Sequence, residues 1–121
     1  MQSATVDLVQ RGTLPKGNAF ETARLAGIMA AKRTAELIPF CHPICLTHVE
    51  VSFNVPRARD RLEIVASAKA AAPTGVEMEA LTAVLMAALT IYDMCKSVDK
   101  TMTIEGVRLL EKTKTARNSC K

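Results

Sequence analysis

Thirteen consecutive residues without a charge, Ala80 to Tyr92, constrain this chain more than any other feature. They lie inside a longer segment, Val76 to Val98, whose apolar residues fall on nearly every face of a helix. A helix of that kind must be covered around most of its circumference, so the remaining elements have to be arranged about it. The uncharged run is well short of the ~20 residues that cross a bilayer, which makes this helix the expected core of a soluble domain. At 121 residues the chain can bury roughly two thirds of its unfolded surface in a single domain. With three Phe, one Tyr and no Trp, that core falls to Ala, Val, Leu, Ile and Met, residues that suit close-packed helices on a small sheet.

The flanking segments supply the cover. Residues 4–11 form a short helix stopped by Gly12, followed by the loop Thr13-Leu14-Pro15-Lys16-Gly17-Asn18. Phe20 to Ile38 has apolar residues at near-helical intervals and must stop at Pro39; within it Ala26-Gly27 lets a second backbone approach closely. His48 to Val55 alternates polar and apolar, as do Leu62, Ile64, Ala66 and Ala68 after a charged turn, so the two segments predict a hairpin. Thr74-Gly75-Val76-Glu77 has the form of a capping box opening the apolar helix. Thr101 to Glu111 predicts a last strand, with a bulge where its phase slips at Glu105-Gly106. The order is α-α-β-β-α-β, an α+β sandwich. One more strand in front of the first long helix would make it ferredoxin-like. The basic segment 113–121 is expected to be a flexible tail behind a single domain spanning 1–112.

Several function classes fall away. The first ten residues, MQSATVDLVQ, contain no apolar stretch of the kind that directs secretion, and four cysteines without such a signal are expected as reduced thiols in the cytoplasm. No P-loop and no G-x-G-x-x-G is present, so a phosphate would be held by side chains. Sixteen Lys and Arg against twelve Asp and Glu give a net charge of +4, which favours an anionic partner. Nucleic acid is disfavoured, because an RNA-binding sheet of this type needs exposed aromatics and Phe53 falls on the inward phase. Cys41-His42-Pro43-Ile44-Cys45 with His48 does not have zinc-site spacing, and no metal is expected.

The spacing that does suggest chemistry is Asp93 and Lys96, three apart and so within about 60° on one helix face. An acid and an amine held on one rigid face can exchange protons with a substrate, or can be a plain surface ion pair. Glu77 is accounted for by the capping box and the helix dipole; Glu79 is not. Glu79 and Asp93 share a face to within about 40°, yet fourteen residues put them about 21 Å apart along the axis. They can act on one small substrate only if two chains combine. His42, between Cys41 and Pro43 in a tight turn, is either a hydrogen-bonding group aimed into a cleft or a plain loop histidine.

Six stretches then occur in one order: Lys16-Gly17-Asn18, Thr22 to Gly27, Ala30 to Thr34, Leu37 to Pro43, Thr74 to Thr82, and Leu89 to Lys96. Together they closely resemble the cyclic pyranopterin monophosphate synthase family, the C protein of molybdenum-cofactor biosynthesis (MoaC), over residues 13–112. The resemblance implies a ferredoxin-like fold in a homo-hexamer, a trimer of dimers with active sites at the dimer interface. It implies a lyase acting on 3′,8-cyclo-7,8-dihydro-GTP, the product of a radical S-adenosylmethionine partner enzyme, and releasing pyrophosphate and cyclic pyranopterin monophosphate. No cofactor is implied. By position, Asp93 and Lys96 match the family's catalytic pair; Phe40, Cys41 and His42 match one substrate-binding stretch and Met78 and Glu79 another. Lys16, Glu77 and Lys112 align with further polar groups of that pocket. Family members usually carry an N-terminal segment and strand ahead of the matched part, so the chain is expected to be N-terminally incomplete. Asn18 stands where Asp is usual.

Overall fold

The computed structural model of the protein describes residues 1–71 and 75–111. Its elements, in order, are α1 (Ser3–Arg11), α2 (Ala19–Lys32), α3 (Thr34–Leu37), β1 (Leu46–Asn54), β2 (Glu63–Ala70) and α4 (Glu77–Cys95). This is an α+β fold in which α4 is the centre. α4 packs on α2 and lies over both strands. By length and composition α4 could cross a bilayer, but it takes its place here as a core helix. Its inward residues Ala83, Ala87 and Ile91 are buried together with Ala19, Ala23 and Ala31 of α2 and Val51 of β1.

Small residues set the distance between the two long helices. A Cβ on Gly27 would stand 2.8 Å from the carbonyl oxygen of Ala83, 3.1 Å from Val51 Cγ2 and 3.5 Å from Ala87 Cβ. The close approach expected at Ala26-Gly27 is therefore real, and it is made against both α4 and β1. The hairpin is antiparallel, with Val51 opposite Ala66 and Phe53 opposite Ile64, so the alternating residues do line the core face. Phe53 stacks on Phe20 with centroids 4.7 Å apart, and the Arg24 guanidinium lies 5.5 Å above the Phe53 ring. Arg24 Nε also donates to the Val51 carbonyl at 3.2 Å, tying α2 to β1.

Four expectations are corrected. The helix of residues 20–38 is broken at Arg33, whose φ of −113° leaves the helical region. Thr34 Oγ1 donates to the carbonyls of Ala31 and Ala30 at 2.8 and 3.3 Å, a back-bond that competes with helix continuation and bends the chain. The helix α4 begins at Glu77 with Val76 in the capping position and no side-chain cap. Glu77 thus stands at the start of the first turn, and the other member of the expected box, Thr74, lies outside the described residues. Residues 101–111 form no strand, and among the described residues the sheet has two strands. That segment and the start of β2 both line a cavity of about 790 Å³, Leu62 to Val65 from the one and Met102 to Arg108 from the other. Among the described residues no backbone hydrogen bond joins this segment to β2. Gly106, where the phase slip predicted a bulge, takes the left-handed conformation at φ 68°. Finally, Cys41 and Cys95 are free thiols, whereas Cys45, exposed just before β1, is disulfide-bonded. The tail expected at 113–121 and Lys112 lie outside the described residues.

Candidate active site

The C-terminal end of α4 carries a three-residue charge cluster. Asp93 Oδ1 accepts from Lys96 Nζ at 3.1 Å, one helical turn on. Its other oxygen accepts from Lys16 Nζ at 3.2 Å, and the same ammonium lies 3.4 Å from the Asp93 carbonyl. Lys16 arrives from a loop that begins at Gly12, the left-handed stop of α1, and is pinched by a bridge between Leu14 and Gly17. Leu14 is buried, so the loop is pegged to the core one turn away from its lysine.

All three side chains are about half exposed. The hydrogen bond from Lys96 and then that from Lys16 hold the Asp93 carboxyl below its ordinary range. Asp93 is therefore an ionised acceptor between two ammonium donors, and the cluster carries one net positive charge. Such an arrangement can bind a polyanion and move protons next to it.

The N-terminal end of α4 is different in kind. Glu79, in the first turn, is only 3% exposed, and the Cys41 thiol lies 3.9 Å from its Oε2. Burial and the neighbouring carboxylate both push the Cys41 thiol up. Cys41 belongs to the chain that leaves α3, where Cys41 N–H donates to the Ile38 carbonyl at 3.1 Å. Beside it Phe40 is 98% exposed and His42 is exposed; Met78 is exposed and Glu77 half-buried in the first turn of α4. The structure therefore brings together Lys16, Asp93 and Lys96 at one end and Cys41 with Glu79 at the other. Within one chain the two groups are separated by the length of α4, about 21 Å from Glu79 to Asp93. Among the described residues no three His, Cys, Asp or Glu side chains converge as a metal would require.

A family model described as the MoaC family matches residues 1–115. This chain belongs to the MoaC family. Curated relatives agree along nearly its whole length. A protein of Chloroflexus aggregans is 60% identical over 112 residues, which are 93% of this chain and 68% of that protein. One of Desulforapulum autotrophicum is 58% identical over 113 residues, 93% of this chain and 69% of the relative. One of Parvibaculum lavamentivorans is 57% identical over 113 residues, 93% and 71% of the two chains. All three are named cyclic pyranopterin monophosphate synthase.

One residue near the MoaC cluster escaped the reading of the sequence. Asp99 is 2% exposed, and its carboxylate accepts from both the N–H and the hydroxyl of Thr101. The signal was present as Asp99-Lys100-Thr101, the spacing of an Asx-turn, in which the side chain bonds the backbone two residues on.

Proposed function

We propose that this protein is a cyclic pyranopterin monophosphate synthase of molybdenum-cofactor biosynthesis, a phosphorus–oxygen lyase. It converts 3′,8-cyclo-7,8-dihydro-GTP to cyclic pyranopterin monophosphate and releases pyrophosphate. The observation that carries this reading is the convergence of Lys16 and Lys96 on Asp93, in a chain about 60% identical to proteins of that name.

The chemistry asks for three things: the purine-derived ring must open and reclose as a pterin, a ribose-type hydroxyl must attack the α-phosphorus, and pyrophosphate must leave. Lys96 is the proton donor and Asp93 the acceptor in the ring rearrangement. The carboxylate is already ionised, and its ammonium neighbour is within one proton transfer. Lys16, with Lys112 beyond the described residues, neutralises the triphosphate and the charge that grows on departing pyrophosphate. Phe40, Cys41, His42, Glu77, Met78 and Glu79 hold the heterocycle. The axial separation along α4 supports a site completed by two chains, with the C-terminal end of one α4 facing the N-terminal end of another. We place that site in a homo-hexamer built as a trimer of dimers on a ferredoxin-like fold, with residues 1–112 as one catalytic unit. The substrate is a labile nucleotide made in the cytoplasm by a radical S-adenosylmethionine enzyme.

Incubation with the cyclised dihydro-GTP, followed by measurement of pyrophosphate and cyclic pyranopterin monophosphate, tests the assignment. Both products should appear in equal amounts. Tight binding without product would replace the enzyme with a non-catalytic nucleotide- or pterin-binding module. Sedimentation velocity that shows only monomer at micromolar concentration would remove the two-chain site.

A further inference from the structure

Lys16 and Lys96 come from distant parts of the chain, and both descend from elements that meet at one buried carboxylate. Asp99 lies three residues after Lys96, in the turn that closes α4. The N–H groups of Val98 and Asp99 both donate to the Cys95 carbonyl, at 2.9 and 3.0 Å, and the Lys96 N–H donates to Tyr92 at 2.9 Å. Asp99 Oδ1 accepts from the Thr101 N–H at 2.8 Å and the Thr101 hydroxyl at 2.6 Å, which fixes the chain just beyond the turn. Its Oδ2 accepts from the Gln2 N–H at 2.9 Å and from Thr5 Oγ1 at 2.8 Å.

The second pair matters most. Gln2 occupies the N-cap position of α1 and provides no cap of its own, so Asp99 caps that helix from ninety-seven residues away. A carboxylate there is also favoured by the helix dipole. α1 is nine residues long, about 13 Å, with Val6 and Val9 buried along it. Its far end is Gly12, from which the loop carrying Lys16 departs. Asp99 thus holds the Lys96 turn directly and the Lys16 loop through a packed helix. Burial works against its charge, but the bonds from Thr101, Gln2 and Thr5 outweigh that and keep the carboxyl below its ordinary range.

We propose that Asp99 is a positioning residue that sets both lysines against Asp93. The assignment of turnover to that cluster rests on the function proposed above; the positioning itself does not. The charged groups facing Asp93 are Lys96 on its own helix and Lys16 on the loop after α1. If the network at Asp99 is loosened, one or both ammonium groups leave, and the Asp93 carboxyl returns upward toward its ordinary value. The acid limb of kcat then moves to higher pH.

The test compares Asp99→Asn, Thr5→Val and, as a destabilising control outside α1, Val51→Ala in the buried face of β1. Asp99→Asn sets an amide donor against donors; Thr5→Val removes one bond at nearly constant volume. Two readouts are taken: the titration of the Asp93 carboxyl by carbon-13 NMR, and kcat and KM for pyrophosphate release against pH. In Asp99→Asn the Asp93 titration should rise, and kcat should fall about ten-fold or more with KM within about two-fold. Thr5→Val should show the same direction with smaller size, and Val51→Ala should move neither. If Asp99→Asn does not fold, Thr5→Val decides alone. An Asp93 titration that stays with the wild type in the folded Asp99 and Thr5 variants, or an equal shift in Val51→Ala, overturns the proposal. Wild-type protein that folds and makes no product would sink the function while leaving the NMR titration to judge Asp99.

Discussion

At its C-terminal end α4 presents an aspartate that is more than half exposed and held by two lysines; at its N-terminal end it presents a glutamate almost wholly buried beside a thiol. The first group is charged, solvated and assembled within one chain from residues seventy-seven apart. The second is packed close to the core, while the residues around it (Phe40, His42 and Met78) face outward. The two settings suit different tasks. Exposed ion pairs cost the fold little and leave protons free to move, whereas a buried carboxylate suits a fixed hydrogen bond.

Removing a charge at the C-terminal end should give the largest effect and the clearest break between the ends. Lys96→Ala and Asp93→Asn should each lower kcat by about 10²–10⁴-fold, the usual contribution of a positioned proton donor or acceptor. Because the pair is exposed, Tm should stay within about 2 °C of the wild type, as differential scanning calorimetry would show. Survival of turnover in Lys96→Ala would remove the chemical role from this end altogether. Next in size is a change that strikes both ends through the helix they share. Gly27→Ala places a methyl group 2.8 Å from the Ala83 carbonyl oxygen, a backbone atom that cannot rotate away. Overpacking of this kind costs about 1–3 kcal/mol, measurable by urea unfolding. The shift of α2 against α4 should weaken activity as a consequence of lost stability, in contrast to Lys96→Ala.

How much of this was legible before the structure follows from the range over which each signal acts. The hairpin was readable because a period of two over His48 to Val55 is local, and its inward residues are those that pack. Gly27 was readable because an Ala-Gly pair in the middle of a helix has few uses other than close approach. Asp93 with Lys96 was readable from spacing. The pairing of Lys16 with Asp93 was not, since nothing local ties the two, and its place in the pocket came from the resemblance. The break at Arg33 depends on where the Thr34 hydroxyl turns, a choice made after the helix forms. Residues 101–111 have the alternation of a strand, but a strand is a relation between two segments, and among the described residues they pair with none. Asp99 was missed for a related reason: its partner α1 lies at the other end of the chain.

A smaller effect separates the ends by thiol chemistry. Burial and Glu79 both push the Cys41 thiol up, so Glu79→Gln should bring it down and speed alkylation by iodoacetamide at pH 8 by a few-fold. Cys95, buried and pushed up to about 11, should remain unreactive in both proteins and serves as the internal control. Peptide mass spectrometry of a timed reaction reads both sites at once. An unchanged Cys41 rate would mean that the carboxylate does not govern the thiol, and the link between Cys41 and Glu79 would lose its chemical meaning.

The smallest expected change is at Phe40, and it asks whether the N-terminal end is finished by this chain. A phenyl ring that is 98% exposed buries almost nothing, so Phe40→Ser should leave stability within about 0.5 kcal/mol by urea unfolding at submicromolar concentration. If the ring stacks on a bound heterocycle, KM should rise several-fold while kcat holds, because the loss falls equally on ground and transition states. The C-terminal variants should show the reverse, with kcat reduced and KM nearly constant. A Phe40 variant that lowers kcat with KM intact would mean that both ends act in the chemical step, and the division of labour along α4 would not hold.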